Sequence, residues 1–319
     1  MEADMTTLVT GAGLIGTAFA RYALKRGEEI VFLDPEPRAD FLRFKLGTSG
    51  YTLVRKDIRD LPGLIETISK HRVTTVVHTA GLIGGRVQQS LSLAFDINLG
   101  GTRNIAEAVR LTDVRRLVHI STFGVYDPRV EPTAPITEDF PRGGTRGYGA
   151  LKIGKEALLE AYAHEYKREL TMLRPANVYG FGHFFAGSSG GQKMQALLEA
   201  GLAGSTASIP SSETMSNEYV YADDVGRAVD LAATVEVGAQ RIFNIGNGVV
   251  TPFDELIATV KQIAPLLNYN IEPGVAPSSK TFPLDISRAE RFLHWKPRYS
   301  LAEGFADFRE EIQKARSAS

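Results

Sequence analysis

Residues 148 to 152 read YGALK, a tyrosine and a lysine four positions apart with only small or apolar residues between them. On a helix of about 3.6 residues per turn, that spacing puts both side chains on one face. The chemistry such a pair could perform is proton transfer. A free phenol titrates near pH ~10, too high for an efficient base at neutrality. An ammonium about 4 Å away contributes ~4 kcal/mol at an effective dielectric of ~20, equivalent to about three pH units. Lys152 is therefore sufficient in scale to make Tyr148 an acid–base group. The same spacing also occurs on ordinary helix surfaces, so the surrounding elements have to decide.

Those elements are strands alternating with helices. From residue 6 to about 175, short β-branched runs (TTLVT, EEIVFLD, YTLVRKD, TTVVHTAG, RRLVHIST, LTMLRP) alternate with longer amphipathic segments, one of them the helix that carries YGALK. This predicts an α/β fold, a doubly wound parallel sheet covered by helices on both faces. After Pro175 the texture changes. GFGHFFAGSSGGQ is too rich in glycine for regular structure, LLEAGLAGSTASIPSSETMSN is mostly small and polar, and regular texture returns with EYVYADDVGRAVDLA. The expected organisation is a nucleotide-binding domain over residues 1–175, completed by later strands near 219–245, and a smaller, interleaved substrate-binding region over 176–319.

The first strand runs into LVTGAGLIG, where Gly11, Gly13 and Gly16 form a G-x-G-x-x-G array with Leu14 and Ile15 inside it, and a helix follows. Gly11 permits the tight turn, Gly13 lets backbone approach a pyrophosphate, and Gly16 allows close helix packing. The helix N-terminus adds free N–H groups and partial positive charge. The second strand ends in Asp34, eighteen residues beyond Gly16. A carboxylate there would accept hydrogen bonds from a ribose and repel a 2′-phosphate, so NAD is expected rather than NADP. Arg38, four residues on, could offset that repulsion.

Composition narrows the partners. The 319 residues carry 36 basic and 37 acidic side chains, so no net field favours nucleic acid or an anionic membrane. Cysteine is absent, which excludes disulfides and thiolate metal sites, and the six histidines lack HxH or HExxH spacing, so no metal site is expected. The start MEADMTTLVT lacks the basic and apolar regions of a secretory signal, and no run approaches the ~20 apolar residues of a membrane span. The expectation is a cytoplasmic protein.

With these pieces assembled, the chain resembles the extended short-chain dehydrogenase/reductase family, which holds NAD-dependent sugar epimerases, dehydratases and related reductases. The likeness runs almost end to end. KDIRD is similar to the family's adenine-contacting segment, with Asp57 and Ile58 at the matching places. VVHTAG resembles the strand whose Thr79, Ala80 and Gly81 would run beneath the cofactor, and DINLGGTRNIAEA carries Asn98 at the family's asparagine. STFGVYD puts Thr122 at the catalytic serine/threonine position, YGALK is the family's Tyr-x-x-x-Lys, and LRPANVYG places Pro175 and Val178 near the nicotinamide. The resemblance implies hydride transfer at a secondary alcohol or ketone of a sugar-like substrate. Tyr148 would move the proton, Lys152 would lower its affinity for that proton, and Thr122 would orient the substrate. Asn177 would contact the substrate, although capping of the Pro175 turn explains it as well. The family also implies a homodimer formed through the long helices before and after Thr122.

Departures from the family pattern shape the functional expectation. Dehydratases place an Asp and a Glu directly after the catalytic threonine, where this chain has Phe123 and Gly124. Nucleotide-sugar members grip diphosphate with arginines, yet Asn217 stands at one such position with Glu218 beside it, and GVAPSSKTFP, at the other, offers only Lys280. Lys193, Lys280 and Arg288 could supply a different grip. On this basis a dehydrogenase or reductase is favoured, a nucleotide-sugar epimerase is the alternative, and a dehydratase and a catalytically silent NAD-binding sensor are both disfavoured. GFGHFFAGSSGGQ, with His183, Phe184 and Phe185, is either a lid over the substrate or a plain connection.

Overall fold

The computed structural model describes residues 5–144, 146–182, 188–275 and 281–317. His183, Phe184, Phe185 and Lys280 lie outside the described residues. Six strands open the chain in step with the alternation in the sequence: β1 (Thr6–Thr10), β2 (Glu29–Leu33), β3 (Tyr51–Val54), β4 (Thr75–His78), β5 (Arg116–Ile120) and β6 (Glu169–Pro175). They are followed by β7 (Asn177–Tyr179), β8 (Thr206–Pro210), β9 (Asn217–Tyr221), β10 (Ile242–Ile245), β11 (Val250–Thr251) and β12 (Asn268–Glu272).

Seven strands form one sheet in the order β10-β6-β5-β4-β1-β2-β3, every neighbouring pair parallel. This is the doubly wound, Rossmann-like arrangement, with the order reversing beside β1. The strands are buried on both faces, and successive residues feed opposite layers. Val9, Val77 and Val118 pack with the helices Leu14–Lys25 and Ala222–Thr234, whereas Leu8, Val76 and Leu117 pack with Leu61–Lys70, Gly101–Leu111 and Gly147–Tyr166.

Of the strands near 219–245, β10 pairs with β6 in the large sheet, while β9 lies between β11 and β7 in a three-stranded sheet of its own. A single residue, Ala176, separates β6 from β7, and its N–H donates to the Ile245 carbonyl at 2.9 Å. The smaller lobe therefore joins the large sheet at its carboxyl edge. The smaller lobe has its own core, built from Met194, Leu197, Leu256, Val260, Phe305 and Phe308.

Two stretches are more regular than their composition suggests. A helix spans Ser189–Ala203 through a segment read as small and polar, because Met194, Leu197 and Leu198 recur at helical spacing and are fully buried. Ser188 caps it by accepting a hydrogen bond from the Gly191 N–H, so the glycine-rich run already ends as a helix start. The following residues form β8, which pairs with β12. Among the described residues, no helix is long and apolar enough to cross a membrane.

Candidate active site

β1 delivers the glycine array to the carboxyl edge of the sheet at the point where strand order reverses, the usual crevice for a nucleotide. Gly11 turns with φ +90°, and a Cβ there would stand 2.8 Å from Thr79 Oγ1 and 3.1 Å from the Ala80 nitrogen. A Cβ on Gly13 would meet nothing within 4 Å, so the space above it is open. Gly16 touches the turn itself, since a Cβ there would lie 2.6 Å from the Gly11 carbonyl. Leu14 and Ile15 turn their side chains toward the core and leave the helix's first N–H groups, which have no carbonyl one turn back, facing that space. Gly11→Ala is expected to lower the Tm by about 5 °C or more through backbone strain. Gly13→Ala should leave the Tm almost unchanged while weakening NAD binding on the order of 10-fold or more, by filling the approach of the pyrophosphate. Calorimetric melting and NAD titration of the two variants check this contrast.

Asp34 closes the crevice at the end of β2. Its carboxylate accepts the Ala12 N–H at 2.9 Å and the Glu36 N–H at 2.8 Å, which fix its direction and leave each oxygen a further lone pair for ribose hydroxyls. Arg38, the residue that could soften its selectivity, stands 3.6 Å from the Asp40 carboxylate. Asp34→Ala should reduce the preference for NAD over NADP on the order of 10-fold, read as the ratio of the two dissociation constants. An unchanged ratio would remove Asp34 from cofactor choice.

The remaining residues expected around the cofactor divide into those facing the crevice and those supporting it from below. Thr79 Oγ1 donates to the Thr10 and Gly11 carbonyls, so it clamps the glycine turn. Asn98 is buried, accepts the Leu82 N–H at 2.7 Å and donates to the Leu82 carbonyl at 3.0 Å, holding the Gly81–Leu82 backbone. Asp57 is engaged by Arg59, whose backbone N–H and guanidinium both bond it and hold its carboxyl below the usual carboxylate range. Ile58 is buried against Gly101. Ala80 offers its carbonyl to Lys155 Nζ at 3.0 Å. Lys155 and the Glu156–Arg174 pair were not singled out in the sequence, although they follow Lys152 by three and four residues and therefore share its helix face.

Thr122, just past β5, accepts the Gly124 N–H at 3.1 Å, which orients its hydroxyl. Tyr148, in the first turn of the helix Gly147–Tyr166, has Thr122 as a neighbour. Burial pushes the Tyr148 phenol up to about 12, while the nearby Thr122 acts in the opposite direction. Lys152 donates to the Ile120 carbonyl at 2.7 Å and stands 5.9 Å from the Tyr148 ring centroid. Burial lowers the Lys152 pKa to about 8, with Glu156 opposing that shift. The fold thus brings the three residues together at one sheet edge, with the tyrosine still strongly protonated.

On the other side of the edge, Pro175 ends β6 beside Ile245, and Val178 is buried in the core. Asn177 donates to Asn217 Oδ1 at 3.2 Å and to the Glu218 carbonyl at 3.1 Å. Glu218 was read as an extra negative charge beside Asn217. Its carboxylate instead points to the opposite side of β9, where it accepts the Gly248 and Leu284 N–H groups at 2.8 and 2.7 Å, and burial raises its pKa to about 7. Successive strand residues face opposite ways, so the carboxylate does not oppose an anion at Asn217. Arg288 is committed to Asp139 at 2.6 Å and to Glu138 at 3.4 Å.

A profile of the NAD dependent epimerase/dehydratase family matches residues 7–246. The chain belongs to that family. NAD is therefore its cofactor, and the open space over Gly13 and the fixed Asp34 carboxylate fit such a dinucleotide. A UDP-glucose 4-epimerase from Mycolicibacterium smegmatis is 35% identical over 315 residues, covering 95% of this chain and 96% of its own length. Among solved structures, UDP-glucose 4-epimerase from Thermotoga maritima with UDP-glucose superposes with a TM-score of 0.86 at 26% identity, covering 98% of this chain and 100% of that one. The Thermus thermophilus UDP-glucose 4-epimerase complex with NAD gives 0.83 at 27% identity, covering 97% and 99%.

Proposed function

We propose that the chain is a UDP-sugar 4-epimerase. The observation that carries the reading is the end-to-end likeness, at 35% identity over 95% of the chain, to a UDP-glucose 4-epimerase. The dehydrogenase reading favoured from sequence rested on two absent arginines, and the relatives support the epimerase alternative better. Bound NAD supplies reversible hydride acceptance and return at the sugar carbon. In this reading Tyr148 takes the proton of the sugar hydroxyl and gives it back after the ketone has presented its other face. Thr122, beside Tyr148, holds the same substrate oxygen in line. Lys152 lowers the cost of the phenolate, aided by the positive charge of the oxidised cofactor. Gly11, Gly13, Leu14, Ile15, Gly16 and Asp34 would cradle the dinucleotide, with Asp57, Ile58, Thr79, Ala80, Gly81, Asn98, Pro175 and Val178 shaping its bed.

Incubation with UDP-glucose and NAD tests the proposal. Formation of UDP-galactose without net NADH is the expected result, whereas stoichiometric NADH with an oxidised sugar would restore the dehydrogenase. The proposal includes a cytoplasmic homodimer packed through the helices Gly101–Leu111 and Gly147–Tyr166, whose Leu111 and Tyr166 are about half exposed.

A further inference from the structure

We infer that His78 is a positioning residue for the cofactor, joining the glycine turn to Asn98 through a hydrogen-bonded chain that runs in one direction; this rests on the proposed dinucleotide bed and goes beyond it. His78 is the last residue of β4, which lies between β1 and β5, and its side chain is fully buried. Its Nδ1 is 2.7 Å from Thr10 Oγ1, and its Nε2 is 2.9 Å from Thr102 Oγ1. Thr10 ends β1 immediately before Gly11, and its carbonyl accepts both the hydroxyl and the N–H of Thr79. Thr102, in the helix Gly101–Leu111, donates to the Asn98 carbonyl at 2.5 Å. Asn98 stands in a single π-helical turn, Asp96–Gly100, and its side chain holds the Leu82 backbone.

The direction of the chain follows from counting hydrogens. A threonine hydroxyl carries one, and that of Thr102 is spent on a carbonyl, which can only accept. Thr102 Oγ1 therefore accepts from His78, so the imidazole hydrogen sits on Nε2. Nδ1 is left as the acceptor of the Thr10 hydroxyl. The links from Thr10 to His78, to Thr102 and to Asn98 close only around a neutral ring in this tautomer. A second hydrogen on Nδ1 would force Thr10 to accept and leave its own hydroxyl hydrogen unpaired in the interior, at the residue that leads into the glycine turn.

The surroundings hold the ring in that state. Burial, with the charges of Lys155 and Lys152 on the helix Gly147–Tyr166, keeps the His78 pKa well below the usual imidazole range. From β5, His119 stacks on His78 with ring centroids 5.2 Å apart and planes at 29°, and burial beside the same two lysines lowers its pKa as well. His119 is equally buried, yet neither of its ring nitrogens has a side-chain partner among the described residues. The stacked pair therefore fills the core with two similar rings, of which only His78 is tied to both ends of the cofactor bed. That contrast separates positioning from packing.

The test joins NAD titration to nitrogen NMR of histidine-labelled, NAD-loaded protein. His78→Phe and Thr102→Val should each weaken NAD binding about 10-fold, and the double variant by no more than about twofold beyond either, because both cut one chain. Thr102→Ser keeps the hydroxyl, and His119→Phe changes the stacked ring without touching the chain, so both should stay within about twofold of the parent. The histidine resonance absent from His78→Phe should show its hydrogen on Nε2 and a bare Nδ1 from about pH 8 to about pH 5.5. Parent-like NAD affinity in folded His78→Phe and Thr102→Val, equal losses in His78→Phe and His119→Phe, or a hydrogen on Nδ1 would each overturn the inference. If His78→Phe does not fold, Thr102→Val and Thr102→Ser carry the test, and the resonance displaced in Thr102→Val identifies the ring. No readout requires isomer formation, so absence of UDP-galactose overturns the epimerase reading alone.

Discussion

Tyr148→Phe is expected to reduce the proposed interconversion of UDP-glucose and UDP-galactose by about 10³-fold, within the range for losing one positioned acid–base group. The variant removes only the phenol oxygen and keeps the ring and its packing beside Val87 and Leu151. The Tm and the NAD dissociation constant should both stay close to those of the parent. A residual activity above about one tenth would remove Tyr148 from the proton transfer. Thr122→Ala should raise KM and lower turnover less, because in the proposed mechanism it orients the oxygen without carrying the proton.

Arg174→Met is expected to have the largest effect on stability. Arg174 is 1% exposed and Glu156 is fully buried, and the guanidinium bonds both carboxylate oxygens at 2.9 and 2.8 Å. Removing the cation leaves a carboxylate in the core whose other cationic partner is the surface-facing Arg142 at 3.0 Å. Breaking such a pair costs about 3–5 kcal/mol, which for a chain of this size lowers the Tm by on the order of 10 °C. The double variant Arg174→Met/Glu156→Leu should recover most of that loss, since it removes both charges from the interior. Equal melting temperatures for parent and Arg174→Met would show that the pair contributes nothing. Glu156 also lies one helical turn from Lys152 and opposes the fall of its pKa, so the single variant should shift the pH dependence of turnover as well.

Much of this was legible in the chain. The strand-before, helix-after setting of Gly11 to Gly16, the position of Asp34 and the Tyr148–Lys152 spacing are local patterns, and local patterns survive in one dimension. What sequence could not give was the direction of side chains whose partners are distant. Thr79 and Asn98 sit at the expected places but are tied to the Thr10, Gly11 and Leu82 backbone, partners that only folding brings near. The Arg174–Glu156 pair joins a strand to a helix across 18 residues. Glu218 was a different case: strand alternation alone implies that it faces away from Asn217, and the β9 pattern was there to be used. The weight given to the missing arginines came from the family pattern, which places them where this chain has Asn217 and the stretch GVAPSSKTFP.

The joint at Ala176 bears on any attempt to exchange sugar preference between relatives. Because one residue carries the chain from the hydride-handling sheet into the strand that presents Asn177, the small lobe is grafted in register with the large one. Inserting a single amino acid there would rotate Asn177 to the reverse side of its strand, together with every contact it makes to Asn217. Chimeras should therefore be spliced elsewhere, with the Pro175–Asn177 seam inherited whole from one parent.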